Sequence, residues 1–295
     1  GGEIQANKDT WVVIHGRESY ASASPTVKGT EEENNMYRLA GALEEFAKLQ
    51  KVPQQILVAD WRSFAGANEK LASLEGTVFI REVAAALQEM LQGYGIPVGD
   101  MNIVGHSWGT YVGYEVARML PGKVRSLVAL DSATNPWPLA ALIGSADSFA
   151  DMNFRDVAEN SWAFEGSMFG SNKKATTANM TMEIFHPFAV SPITQHNLVA
   201  ETFARIVRDA ANDSDDTVSQ YFHLDKLLGT DQRQQPWRED GYGMNPVLPD
   251  GYEGKIGTVY TGGEESDGTP IYDLSYVTYV LPGNTTQLTT DHFKP

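Results

Sequence analysis

The stretch that most limits the fold of this chain joins a buried strand to a helix through one tight turn. Residues 101–104 form a largely apolar run that leads into Gly105-His106-Ser107-Trp108-Gly109, a GxSxG sequence. Apolar residues then recur at three- and four-residue steps up to Pro121, which indicates an amphipathic helix. In this motif the glycines allow close approach of neighbouring elements, and the serine stands clear of the backbone. The pattern therefore predicts a nucleophile elbow with Ser107 at its tip.

Strand and helix patterns alternate along the first half of the chain. Apolar runs at 11–14, 56–59 and 124–130 predict strands, and residues 30–46 and 78–91 carry the apolar stripes of amphipathic helices. Continuous apolar strands joined by helices are typical of a parallel sheet that is covered on both faces. We therefore expect an α/β fold of the α/β-hydrolase type, with a mostly parallel central sheet and helices on both faces.

The second half of the chain is less regular. It is predicted to contain strands at 162–168 and 180–185, a helix at 195–209, and a closing β-hairpin at 257–261 and 272–280. Residues 211–254 are polar and poorly periodic. No repeat or linker divides the first 210 residues. We therefore expect a single domain over 1–295, in which 211–295 form an irregular segment plus the closing hairpin.

Charge and residue usage narrow the classes of partner and chemistry. The 38 acidic and 22 basic residues give a net charge of −16, which disfavours nucleic acid and anionic membranes as partners. No stretch approaches the roughly 18 apolar residues of a membrane span, so stable membrane insertion is not expected. The chain has no cysteine, which excludes disulfides, thiolate metal ligands and a cysteine nucleophile.

Polar residues follow the predicted strands at the edge where the carboxyl ends of parallel strands meet. His15, Asp60, Ser107 and Asp131 all lie at such ends. A serine hydroxyl becomes a nucleophile when a histidine takes its proton and an acid orients that histidine. The chain order Ser, Asp, His makes Asp131 the first candidate for the acid.

Six histidines compete for the role of the base. The elbow is expected to aim His106 elsewhere, and His15 lies on the loop expected to supply oxyanion donors. The remaining histidines are His186, His196, His223 and His292. A rival arrangement takes Asp267 as the acid and His292 as the base, and periodicity does not decide between the two arrangements.

Several segments resemble the catalytic domain of the pancreatic lipase family, which also contains phospholipases A1. Residues 11–16 resemble the strand and His-Gly that open its oxyanion loop, and residues 57–61 resemble its Val-Asp-Trp strand. Residues 105–109 match its elbow, and Leu130-Asp131-Ser132-Ala133-Thr134-Asn135-Pro136 resembles its Leu-Asp-Pro-Ala-x-Pro. The likeness extends over most of the chain, up to a closing hairpin at 257–280.

This resemblance implies a catalytic triad. The interval between Ser107 and Asp131 matches the spacing of the family, in which this aspartate is the triad acid. His196-Asn197-Leu198 resembles the Asn-His-Leu helix start that carries the catalytic histidine. The implied nucleophile, acid and base are therefore Ser107, Asp131 and His196. The likeness of the closing hairpin assigns Asp267 to a turn and leaves His292 as the main alternative base.

The resemblance also implies an oxyanion hole and a substrate class. The oxyanion donors are expected to be the main-chain N–H groups of Arg17 and Trp108. The long lid of the family is replaced by residues 187–195, which predicts an open cleft without interfacial activation. We expect a lipid or small ester as substrate, cleaved through an acyl-enzyme intermediate. An acyltransferase or thioesterase with the same triad is the alternative, and a non-enzymatic lipid-binding relative is disfavoured because the triad is complete.

A structural calcium site and secretion are weaker implications of the resemblance. The calcium site of the family lies after the triad acid, where this chain has Asp151, Arg155, Asp156 and Glu159. Carboxylate oxygens suit calcium, although a solvated helix with an i,i+4 pair of Asp151 and Arg155 explains the same residues. No organic cofactor is expected. Most members of the family are exported, so the resemblance implies a secreted or extracellular protein, and the sequence does not indicate whether the chain has a protein partner.

Overall fold

One continuous sheet carries the nine strands of the described residues. The computed structural model describes residues 3–16, 35–61, 79–132, 152–167, 177–185, 192–212, 252–264, 270–281 and 284–290. The strands are β1 Asp9–Ile14, β2 Gln54–Ala59, β3 Met101–His106, β4 Val124–Leu130, β5 Ala158–Glu165, β6 Met180–Phe185, β7 Tyr252–Glu264, β8 Pro270–Leu281 and β9 Asn284–Thr290. Their order in the sheet is β2-β1-β3-β4-β5-β6-β7-β8-β9. Neighbours are parallel from β2 to β7, and the last two pairs are antiparallel.

Helices cover both faces of the sheet. They are α1 Asn35–Leu49, α2 Ile80–Gly93, α3 Gly109–Met119, α4 Phe154–Val157 and α5 Pro192–Asn212, with a short 3-10 turn at Val98–Asp100. Because side chains alternate along a strand, Val13 faces the buried cluster formed with α1 and α5, while Val12 faces the cluster formed with α2 and α3. The expected mostly parallel α/β-hydrolase sheet with two covered faces is confirmed. No helix among these residues is long and apolar enough to cross a bilayer.

Hydrogen bonds tie the starts of the central strands together at the end of the sheet opposite the elbow. Asp9 accepts from Asn102 at 2.6 Å and from Gln54 at 3.1 Å, and it forms an ion pair with Arg125. Arg125 also donates to Asp100 at 2.7 Å. Burial is the main cause that raises the pKa of Asp9. Residues from β1, β2, β3 and β4 thus share one polar network that fixes the strand register.

The closing strands are longer and more numerous than the sequence predicted. The hairpin runs over β7 and β8, and the prediction missed β9, whose Asn-Thr-Thr-Gln sequence lacks a clear apolar alternation. Strand β7 pairs in parallel with β6, so the hairpin continues the central sheet. Residues 213–251 lie outside the described part of the chain. The expectation of a single domain over 1–295 stays a prediction.

Candidate active site

Ser107 occupies the turn between β3 and α3 that the sequence predicted. Its φ is 55°, in the left-handed region that non-glycine residues rarely adopt and that is often found at functional sites. Its N–H donates to the main-chain oxygen of Leu130 at 2.9 Å, and its own oxygen accepts from the Thr110 N–H at 3.2 Å. The serine is 6% exposed. The strand, the strained turn and the helix of a nucleophile elbow are therefore all present.

Glycine is required around the elbow because three main-chain segments meet there. A Cβ on Gly105 would lie 2.4 Å from the carbonyl of Gly109, and a Cβ on Gly109 would lie 2.2 Å from the oxygen of Ile14. A Cβ on Gly16 would lie 2.6 Å from the Cβ of Ser107. These distances are far below a normal carbon contact. The loop after β1 therefore packs directly against the elbow, where an oxyanion hole would form.

Asp131 follows β4 and is fully buried in a ring of donors. Its N–H donates to the Phe164 oxygen at 2.7 Å, and its own φ is 44°. One carboxylate oxygen, Oδ1, accepts from the N–H groups of Gly166 at 2.9 Å and Ser167 at 3.3 Å. The other, Oδ2, accepts from the Ser167 hydroxyl and from Nδ1 of His196. Burial by itself raises the pKa of Asp131, but the hydrogen bonds and charge of His196 and the donors of residues 166–167 outweigh it, so the pKa is lowered.

His196 lies near the start of α5, where the helix brings its ring onto Asp131. Nδ1 of His196 and Oδ2 of Asp131 are 2.5 Å apart, and the histidine side chain is 14% exposed. This contact brings together two of the three residues of the predicted triad. The alternative base His292 and the alternative acid Asp267 lie outside the described residues. The hydrogen bonds of the described residues do not include one between the Ser107 hydroxyl and His196.

A second histidine ring lies against His196. His106, the last residue of β3, donates from Nε2 to the main-chain oxygen of His196 at 2.9 Å. The two ring centroids are 4.5 Å apart and the rings are tilted by 39°. Burial, and then the charge of His196, lower the pKa of His106 to about 3, which keeps its ring neutral. Sequence reasoning missed this contact. The alternation of β3 places His106 on the same face as Val104, but no sequence pattern shows that α5 covers that face.

His15 and Gly16 begin the loop that is expected to supply an oxyanion donor, and His15 holds this start in place. Nδ1 of His15 donates to the Gly16 oxygen at 2.7 Å, and its Nε2 accepts from the Trp61 N–H at 3.0 Å. The Trp61 indole N–H donates back to the His15 oxygen at 2.6 Å, and the two rings stack. Trp108 immediately precedes α3, so its N–H lies at the positive end of that helix. Arg17 lies outside the described residues, and its role stays a prediction.

The predicted calcium site lies only partly within the described residues. Asp156 and Glu159 are exposed to solvent, and Asp151 lies outside the described residues. Across the part of the chain that is described, no three acidic or histidine side chains are grouped as metal ligands. Asn153 caps α4 by accepting from the Arg155 N–H at 3.2 Å, which is a local structural contact. The calcium site stays a prediction.

The segment that would hold a lid is shorter than the sequence suggested. Helix α5 begins at Pro192, so residues 192–195 are helical, and only 186–191 connect β6 to the helix. Proline suits the first turn of a helix because its missing N–H is not needed there. Residues 186–191 lie outside the described part of the chain.

A cavity of about 660 Å³ lies beside β2 and α2. Its described lining is mainly apolar and includes Leu57, Trp61, Val83, Leu87 and Met90. Ser107, Asp131 and His196 are not among the described residues that line it.

Comparison with known proteins gives one family match and several distant structures. A family model described as Lipase matches residues 2–158, just over half of the chain. No curated protein gives a significant match. An esterase from Pyrobaculum calidifontis has 12% identity and a TM-score of 0.39 over 72% of this chain and 79% of its own. A structure from Xanthomonas campestris pv. campestris, named as a hydrolase of the alpha/beta superfamily, has 13% identity and a TM-score of 0.38, covering 69% and 99% of the two chains.

Proposed function

Because this chain belongs to the lipase family and is a carboxylic ester hydrolase, we propose that it cleaves esters with a triad of Ser107, His196 and Asp131. The observation that carries the proposal is the 2.5 Å contact between Nδ1 of His196 and Oδ2 of Asp131, next to a serine on a strained elbow. An ester hydrolase of this kind needs a nucleophile, a base and an orienting acid. Ser107 and Asp131 supply the nucleophile and the acid from the turns after β3 and β4, and His196 supplies the base from α5.

The hydrogen bond to Asp131 sets the proton positions on the proposed base. With Nδ1–H donating to the carboxylate, the neutral ring of His196 has an unprotonated Nε2. That nitrogen takes the proton of Ser107 as the serine oxygen attacks the ester carbonyl carbon. The charged Asp131 stabilises the imidazolium that forms. The main-chain N–H groups of Trp108 and Arg17 stabilise the negative oxygen of the tetrahedral intermediate.

Collapse of the intermediate breaks the bond to the leaving alcohol, which receives the proton from His196. The acyl group then remains bonded to the Ser107 oxygen as an ester. A water molecule repeats the attack, His196 takes its proton, and the acid leaves as Ser107 recovers its hydrogen. One ester and one water thus become one acid and one alcohol.

The proposed substrates are lipid esters and soluble monomeric esters in an open cleft. The support is the length of the connection between β6 and α5, since residues 186–191 are too few for a long lid. We expect the rate with tributyrin to rise smoothly through its solubility limit. A rate that appears only above that limit would contradict an open cleft. Added alcohol should divert little of the acyl group from water, and predominant transfer to the alcohol would favour the acyltransferase alternative.

Labelling and mutation test the triad directly. A fluorophosphonate probe is expected to modify wild-type protein at Ser107 and to leave Ser107→Ala unlabelled. Hydrolysis of p-nitrophenyl butyrate should fall by about 10⁴-fold or more in Ser107→Ala and His196→Ala. His292→Ala is the matched control and should keep wild-type activity. Full activity in His196→Ala together with its loss in His292→Ala would replace the proposed base.

A further inference from the structure

We propose that His106 is a positioning residue that holds His196 against Asp131 and in fixed relation to Ser107. It acts through a hydrogen bond to the main-chain oxygen of His196 and through contact between the two rings. The inference rests on the proposed function, because it requires His196 to be the base. No contact of His106 with substrate is involved.

The hydrogen bond fixes the main chain from which the proposed base projects. The acceptor is a carbonyl oxygen, so Nε2 of His106 must carry the hydrogen, and the 2.9 Å distance is that of a normal N–H···O bond. His106 is 6% exposed, so water competes little for this donor. The bond joins the end of β3 to the start of α5. It therefore anchors the helix turn that carries His196.

The ring contact restricts the side chain of the same residue. With centroids 4.5 Å apart, the ring of His106 limits rotation of the His196 ring on one side, and Asp131 holds its Nδ1 at 2.5 Å. Two contacts of different direction define the orientation of a planar ring better than one. Nε2 of His196 is thereby kept in a defined direction.

His106 directly precedes Ser107, so its contact with His196 also links the proposed base to the proposed nucleophile. Strand β3 is central in the sheet and pairs with both β1 and β4, with His106 opposite Leu130. The Ser107 N–H donates to the oxygen of that same Leu130. The proposed nucleophile therefore directly follows the residue that anchors the base, at the end of one central strand. A misplacement of about 1 Å between reacting groups can cost about 100-fold in rate.

The residue at position 106 must donate a hydrogen bond to the main-chain oxygen of His196 without carrying a positive charge. During the reaction His196 becomes an imidazolium, and a second charged ring at 4.5 Å would oppose that charge. The described titratable groups that act on His106 are His196, Asp131 and His15, and burial is the largest influence, lowering its pKa. Histidine in its neutral form combines a hydrogen-bond donor with a flat ring. Glutamine offers the donor alone, and phenylalanine offers the ring alone.

The test compares four variants in p-nitrophenyl butyrate hydrolysis. His106→Phe is expected to lower kcat by about 100-fold, with KM within about two-fold. His106→Gln, whose amide can reach the His196 oxygen, should recover most of the rate. His106→Asn, whose amide is too short to reach it, should not. Ile103→Val, a buried change on the opposite face of β3 and outside the cluster that contains α5, is the control and should lower the melting temperature without lowering kcat.

The outcomes separate this inference from the proposed function. Wild-type kcat in His106→Phe, or equal kcat in His106→Gln and His106→Asn, overturns the positioning role. If His106→Phe does not fold, the Gln and Asn pair still decides the matter. Retained activity in Ser107→Ala or His196→Ala would instead refute the triad itself. Slower fluorophosphonate labelling of Ser107 in His106→Asn than in His106→Gln, at equal melting temperature, would support a clamp on the base.

Discussion

Replacing Asp131 by asparagine tests the proposed proton arrangement, because the neighbouring donors fix how the new amide must lie. Oδ1 accepts from two main-chain N–H groups, at 2.9 Å from Gly166 and 3.3 Å from Ser167. A main-chain N–H group can only donate a hydrogen bond, so the atom that faces these two groups must be an acceptor. The asparagine oxygen must therefore occupy this position. Its NH₂ group then takes the place of Oδ2 and points at Nδ1 of His196 and at the Ser167 hydroxyl, which can rotate to accept.

The consequence is the wrong tautomer of His196. An NH₂ group facing Nδ1 requires that nitrogen to accept, so the hydrogen moves to Nε2. Nε2 then has no lone pair for the proton of Ser107. We expect kcat to fall by about 10⁴-fold while KM changes little, because the same substitution of the orienting aspartate has this effect in a serine protease. Steady-state hydrolysis of p-nitrophenyl butyrate measures the rate, and nitrogen-15 shifts of the His196 ring report the tautomer.

Stability measurements complete the experiment. The pKa of Asp131 is lowered in the folded protein, so its charged form stabilises the folded state. This stabilisation is complete above the pKa of an aspartate in the unfolded chain, about 3.9, and is lost as the pH falls through the pKa of the folded state. The stability difference between wild type and Asp131→Asn should therefore shrink on acidification below about pH 4. Asp131→Ala leaves buried donors without an acceptor, and each costs about 1–3 kcal/mol. A kcat within ten-fold of wild type in folded Asp131→Asn would refute the proposed orientation of the base.

Two further substitutions, one of them with a matched control, test the framework around the site. Gly109→Ala places a Cβ 2.2 Å from the main-chain oxygen of Ile14, so it should lower the free energy of unfolding by about 1–3 kcal/mol and remove most of the activity. The control is Gly99→Ala, which has open space around its Cβ and should change the free energy of unfolding by less than about 0.5 kcal/mol. Equal melting temperatures for the two variants would contradict the close approach at Gly109. Asp9→Ala removes the acceptor of Arg125 and its neighbours and should lower the free energy of unfolding in urea by about 2–4 kcal/mol with kcat unchanged. A kcat loss in Asp9→Ala would show that this distant network also shapes the site.

Local chain geometry explains which parts of the fold could be predicted from the sequence. The runs that became β1, β2 and β4 are short and apolar, and the strand–turn–helix around Ser107 admits few alternatives because its glycines allow contacts that no Cβ permits. The closing strands were harder to place. β9 is polar, and its place depends on pairing with β8 rather than on its own pattern. The short helix α4, with four residues, has no periodicity to detect.

The contact between His106 and His196 shows why a site is harder to predict than the motifs that compose it. The elbow sequence fixes the direction of Ser107 through its own backbone, and Asp131 follows a strand whose end is set by its apolar run. The place of His196 depends instead on how α5 docks across the sheet, where Phe203 and Val199 pack in the same buried cluster as Val104 of β3. Docking is decided by side chains distant in sequence, so no local pattern contains it. His106, which the elbow motif predicts to point away from Ser107, faces the helix that carries the proposed base.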